Sequence, residues 1–340
     1  MDNTYKHRLA SWLNTHWYSK SPVGAALIPL SWIFCLATSL RRGLYRMGLF
    51  RARRMGVPVI VVGNITVGGT GKTPLVIALV QLLRDAGYNP GVVGRGYGGT
   101  AGHWPQQVRP DSDPVAVGDE PVLIAARCRC PVAVAPDRVA AAASLIKHAH
   151  CDVIVSDDGL QHYRLARDIE IAVIDGVRRF GNGHCLPAGP LREPQRRLRT
   201  VDYVVTTGLA APGETPMSLN AAPIRNVRDD RQIAERYPFR GKAVHAVAGI
   251  GNPGRFFAQL RGLGINPKEH GFPDHYRFRR QDLDFGDDAP IIMTEKDAVK
   301  CRRFAAANHW YLPVEAQLDE RLTQPLLARV AELTALKDPP

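Results

Sequence analysis

From residue 57 onward the chain alternates short β-branched, apolar runs with stretches whose apolar positions recur every three or four residues. Pro58–Val62 is the first such run, and its length and composition predict a strand buried on both faces. After a glycine-rich loop, Leu75, Val76, Leu79, Leu82 and Leu83 mark the apolar face of a helix over about 73–86. Pro74 suits its first turn and Gly87 its end. Further strands are predicted at Gly91–Val93, Val132–Ala135, Val153–Ser156, Ile169–Ile174 and Tyr203–Thr206, with helices at Glu120–Arg127 and Arg138–His148. Strands alternating with helices predict an α/β fold, a parallel sheet with helices on both faces. Ala243–Val247, Arg255–Leu263, Ile291–Met293, Trp310–Leu312 and Asp319–Leu336 predict a smaller second α/β unit. Residues 209–240 are rich in Pro, Asn and Arg and have little period, which reads as a join. The expected organisation is therefore a front segment 1–56, a core 57–208, a hinge 209–240 and a smaller domain 241–340.

The front segment follows a different pattern. Val23–Leu40 carries no charge, but it is only just long enough for a bilayer span and is diluted by Gly24, Pro29, Ser31, Thr38 and Ser39. Trp17, Tyr18 and Trp32 favour a membrane interface. A membrane-associated helix that either crosses or lies flat is expected. Composition sharpens this reading. The 340 residues are 45% hydrophobic and 22% charged, which excludes a disordered chain. The net charge is +12, yet nine basic residues against one acid fall within 1–56, so a nucleic-acid partner is disfavoured. Lys6, Arg8 and Lys20 precede the apolar stretch, and Arg41, Arg42, Arg46, Arg51, Arg53 and Arg54 follow it. That cluster would keep the following domain cytoplasmic or hold anionic head groups. Six cysteines without a CxxC pair fit a reducing compartment.

Candidate chemistry begins at GNITVGGTGKT (Gly63–Thr73), set between a strand and a helix as a phosphate-binding loop requires. Gly68, Gly69, Thr70 and Gly71 would wrap phosphate oxygens, Lys72 would reach the β- and γ-phosphates of ATP, and Thr73 would hold Mg²⁺. The strict pattern asks for glycine where this chain has Thr66. Asp157 and Asp158 follow a buried strand and are placed to bind Mg²⁺, with a turn role as the alternative for either one; His162 lies just downstream. Gly94, Gly96 and Gly99 form a G-x-G-x-x-G pattern, but no helix opens after it; it reads as a loop carrying Arg95 and Tyr97. Asp119 opens a helix and is either a cap or a proton acceptor; His275, between Asp274 and Tyr276, is either structural or catalytic.

Taken together, GNITVGGTGKTP, RGYGG, VGDEP, DDGLQH, GNGHCLPAGPLREP, AGIGNPGRFF, FPDHY and MTEKDAVK resemble the tetraacyldisaccharide 4′-kinase family. The resemblance implies a P-loop NTPase-like core and a smaller domain that closes over the cleft through a hinge. It implies a lipid kinase that moves the γ-phosphoryl of ATP onto the 4′-hydroxyl of an acylated glucosamine disaccharide 1-phosphate. Such an enzyme would work at the cytoplasmic face of the bacterial inner membrane, in lipid A biosynthesis. Lys72 and Thr73 match the family's phosphate and Mg²⁺ residues, and Asp157 and Asp158 its acidic pair. Asp119 and His275 match its carboxylate–imidazole pair, while Arg95, Tyr97, Arg138, His162, Arg192 and Glu193 match positions lining the cleft. Arg192, Arg196, Arg197 and Arg199 suit a dianionic sugar phosphate or, alternatively, a solvated face. The rival reading is a P-loop switch or assembly ATPase without a small-molecule acceptor.

Overall fold

The computed structural model describes residues 16–19, 22–96, 99–234 and 239–337. Tyr97, Lys6, Arg8 and Lys20 lie outside them. The front segment forms α1 (Pro22–Ala26) and α2 (Ile28–Arg46). One face of α2 is seated on the body. The Ser31 hydroxyl donates to the Cys185 carbonyl at 2.7 Å, and Phe34 and Cys35 pack on buried apolar residues. On the other face, Leu30, Trp32, Ile33, Leu36 and Leu40 are 52–69% exposed. No helix among the described residues is long and apolar enough to cross a membrane.

The first apolar run forms β1 (Val59–Gly63), buried throughout. The next helix is α3 (Lys72–Asp85), whose Leu75, Val76, Leu79, Val80 and Leu83 are 0% exposed. Each contributes roughly 1.5–3 kcal/mol relative to a solvated side chain. The chain continues through β2 (Pro90–Gly94), β3 (Gln106–Val108), α4 (Pro114–Val117), α5 (Asp119–Cys128), β4 (Val132–Val134) and α6 (Arg138–Ala149). It then adds β5 (Val153–Ser156), β6 (Ile169–Asp175), β7 (Tyr203–Thr207) and β8 (Thr215–Ala221). From β8 through β7, β6, β1, β5 and β2 to β4, neighbouring strands are parallel; β3 closes one edge antiparallel. The chain leaves β1 and skips a place that β5 later fills, while β6 takes β1's other side. The loops after β1 and β5 therefore open into one crevice at the carboxyl edge. As expected, Gly99 opens no helix; the next element is β3.

A second sheet holds β9 (Ile224–Asn226), β10 (Ile233–Ala234), β11 (His245–Ala248), β12 (Lys268–Gly271), β13 (Ile291–Thr294) and β14 (His309–Leu312). Its helices are α7 (Pro253–Gly262) and α8 (Glu295–Cys301). The expectation of one domain over 241–340 needs correction at its end. β15 (Val314–Leu318) pairs with β8 in the large sheet, and α9 (Glu320–Lys337) buries Leu322, Leu326, Val330 and Leu333 in the large core. The segment 209–240 is likewise no continuous linker. It supplies β8 to one sheet and β9 and β10 to the other, so the passages lie at 222–223 and at Pro313. These two passages touch, since the Ala222 N–H donates to the Pro313 carbonyl at 3.0 Å.

Candidate active site

The loop from Asn64 to Gly71 turns β1 into α3. Gly68 and Gly71 take φ values of 106° and 94°, which side chains disfavour. A Cβ on Gly71 would also lie 2.9 Å from the Thr207 hydroxyl. The Asn64 amide donates to the Gly68 carbonyl and the Thr70 hydroxyl at 3.3 Å, and the Thr207 hydroxyl donates to the Thr70 carbonyl at 2.8 Å. Thr66 explains its departure from the strict pattern. It bridges Leu191 as a strand residue would and is not among the residues with positive φ, so glycine is not needed there.

The acidic pair after β5 is divided in its contacts. Asp158, at φ 48°, has Lys72 Nζ 3.6 Å from Oδ1 and the Arg192 guanidinium at 2.9 and 3.1 Å. Burial would raise its pKa, but Lys72 and Arg192 hold it well below the usual carboxylate range. Asp157 is pushed up to about 7, by burial and then by the nearby Glu120 and Asp158. Its Oδ1 is buried without a hydrogen-bond partner among the described residues. The buried Arg138 pins this corner by donating to the Asp157 and Asp158 carbonyls at 2.8 and 2.9 Å.

Asp119, the first residue of α5, meets His275 of the smaller unit. Both carboxylate oxygens lie 3.1 Å from His275 Nδ1. His275 sits at φ 58°. Around the pair, Lys296 Nζ lies 3.0 Å from Glu120, 3.3 Å from Asp274 and 4.0 Å from Asp119, and Lys300 Nζ lies 3.9 Å from Asp119. Burial opposes charge on Asp119, but the His275 hydrogen bond and the two lysines hold it well below the carboxylate range. Burial also opposes a charged His275; the Asp119 hydrogen bond and the charges of Asp119 and Asp274 together outweigh it, and the imidazole pKa rises above its ordinary 6.5.

The two halves of the site meet at Gly251, in the loop after β11. A Cβ there would lie 3.3 Å from the Gly69 nitrogen and 3.4 Å from an Asp274 oxygen. The smaller unit thus rests on the phosphate loop beside the Asp119–His275 pair. Several expected cleft residues lie elsewhere or are already engaged. Glu193 is 3% exposed, accepts from Gln161 at 2.9 Å and from the Tyr163 hydroxyl, and serves the interior. Arg197 is 2% exposed and pairs with Glu170 at 2.5 Å, and Arg196 donates to the Ser39 hydroxyl of α2. Arg197, buried and paired, does not fit the expected phosphate role. His162 is pushed down to about 4 by burial and by Arg138, so it stays neutral. Arg95 is exposed at the end of β2. Lys296 and Lys300 had not been singled out, although their i, i+4 spacing in MTEKDAVK puts both on one helix face. Their target, Asp119, lies far away in sequence.

Residues 23–331 match the family model described as tetraacyldisaccharide-1-P 4′-kinase. Tetraacyldisaccharide 4′-kinase of Nitrosococcus oceani is 56% identical over 89% of both chains. That of Alkalilimnicola ehrlichii is 54% identical over 92% of this chain and 94% of its own. The crystal structure of LpxK from Aquifex aeolicus in complex with ATP is 28% identical, with a TM-score of 0.76 over 91% of this chain and 99% of that one. Sequence and fold agree: the chain belongs to the tetraacyldisaccharide-1-P 4′-kinase family.

Proposed function

We propose that this chain transfers the γ-phosphoryl of ATP to the 4′-hydroxyl of an acylated glucosamine disaccharide 1-phosphate at the cytoplasmic face of the inner membrane. The observation that carries the reading is the Asp119–His275 contact, a carboxylate–imidazole pair made by two units beside a phosphate loop. A switch ATPase has no need of a base for an alcohol. His275 turns Nδ1 to Asp119, so Nε2 takes the hydroxyl proton, and the anionic Asp119 stabilises the imidazolium that results. Lys72 neutralises charge on the transferring group, with Asp158 and Arg192 fixing its position.

Mg²⁺ fits the remaining groups. No cluster of three His, Cys, Asp or Glu among the described residues could hold a metal, which suits a cation completed by phosphate oxygens and water. Asp157, with its unpartnered Oδ1, and Thr73 would hold it. Asp158 is already committed to Lys72 and Arg192. When bound, Mg²⁺ offsets the charge of the β- and γ-phosphates.

The apolar face of α2, followed by Arg41, Arg42 and Arg46, suits a helix lying flat on an anionic bilayer where the acylated acceptor resides. A Trp32→Ser/Leu36→Ser variant should bind anionic vesicles about 10²-fold more weakly in co-sedimentation, since each side chain contributes roughly 1.5 kcal/mol or more when buried. The pH profile gives a second check. A raised His275 pKa keeps the proton on the imidazole to higher pH, so kcat/KM should climb through a limb above 6.5. With Asp119→Asn, only the Asp274 carboxylate is left against burial and Lys296, and that limb should move to lower pH. An unmoved limb would remove His275 as the base.

The function itself is tested by transfer of radiolabelled γ-phosphate from Mg-ATP to the acylated disaccharide 1-phosphate in mixed micelles. Labelled lipid is the expected product. Labelled inorganic phosphate alone would overturn the reading in favour of a switch ATPase.

A further inference from the structure

We propose that Arg178 is a catalytic residue of this site, an arginine supplied in cis to the transferring phosphoryl group. The inference rests on the kinase reading above. Arg178 follows β6, and its backbone is fixed by Asp175, whose carboxylate accepts from the Val177 and Arg178 N–H groups at 3.0 Å. Its guanidinium lies against the phosphate loop, so that a Cβ on Gly68 would fall 2.9 Å from one of its nitrogens. The same group donates to the Gly251 carbonyl of the smaller unit at 3.3 Å and to the Tyr18 hydroxyl at 3.4 Å. Its carbon stands 4.8 Å from the centre of the Tyr18 ring.

What it lacks is an acid. Among the described residues no carboxylate pairs with Arg178, whereas its neighbour Arg179 spends both terminal nitrogens on Glu214 at 2.6 and 2.7 Å. A half-buried guanidinium with neutral partners, lying on the loop that holds phosphates, is an anion site waiting for its anion. It stands where the phosphate loop and Gly251 meet, so closure of the smaller unit and placement of this charge are one event. In the step itself, the 4′-oxygen forms a bond to the γ-phosphorus while the bond to the β-phosphate oxygen breaks. The hydroxyl proton passes to His275 Nε2, and ADP leaves with the electron pair. Arg178 neutralises the equatorial oxygens during that exchange. Tyr18 is a positioning residue, bracing the guanidinium from the N-terminal segment that leads into α1 and α2.

Arg178→Ala should lower kcat about 10²–10³-fold and leave KM for ATP within about threefold. Binding of ADP with aluminium fluoride should weaken by a comparable factor while binding of ADP alone is unchanged. Added guanidinium ion should restore part of the turnover of Arg178→Ala and do nothing for wild type. Arg178→Lys, which keeps the stem and charge without the fork, should remain strongly impaired and carries the test if the alanine variant does not fold. Tyr18→Ala should show a smaller loss, about fivefold. Near-wild-type kcat in Arg178→Ala, or equal weakening of ADP with and without aluminium fluoride, would overturn the proposal and leave the kinase reading intact. Absence of labelled lipid with wild type run alongside would remove both.

Discussion

Asp119→Ala should lower kcat about 10²–10⁴-fold, the range of a lost general-base system, with KM for ATP little changed. The carboxylate does not touch the nucleotide loop; it acts on His275, whose imidazole it orients and whose proton affinity it raises. The fold should survive, because each cation around Asp119 keeps another acid. Lys296 retains Glu120 and Asp274, and Lys300 retains Asp297 at 2.6 Å. A loss of roughly 1–3 kcal/mol in chemical unfolding is expected. His275→Ala should match Asp119→Ala in kcat, and the double variant should be no slower than the slower single one, because the two act as a unit. Additive losses in steady-state kinetics would show that the residues work separately.

Lys72→Ala should abolish most of the transfer, about 10³-fold or more in kcat, since a preorganised charge at the reacting phosphate is lost. Here too the surroundings tolerate the change. Asp158 keeps Arg192 at 2.9 Å, so the corner after β5 stays neutralised and the melting temperature should move by only a few degrees. Labelled lipid formed at near-wild-type rates by Lys72→Ala would contradict the phosphate-loop assignment outright.

Much of the core was legible because its strands are buried on both faces. Runs such as VIVV and VIVS admit few other readings, and the glycine-rich loop has a required context. The elements that escaped are those whose pattern is set by partners far away. β8 and β15 have mixed, half-exposed faces and meet each other across a long insertion, so neither carries a strand signal of its own. Arg197 looked like a ligand for an anionic substrate, since a charge in a loop does not disclose whether an opposite charge lies buried beside it. Asp119 and His275 are both visible as residues, but their partnership spans 156 positions; the family resemblance implies it, and the residues alone do not.

The double passage between the sheets also bears on how the chain becomes a single cooperative structure. β8 and β15 are neighbours that an ordinary hairpin turn would join; instead the whole smaller unit is inserted between them. Holding the ends of a disordered insert of about 90 residues together would cost roughly 4 kcal/mol beyond a constant. A folded insert whose ends already meet at Ala222 and Pro313 lifts that cost. The last edge of the large sheet, and the α9 side chains that seal its core, are therefore delivered by the guest. Damage to the smaller unit, even far from the phosphate loop, would be felt as a loosened nucleotide-binding core.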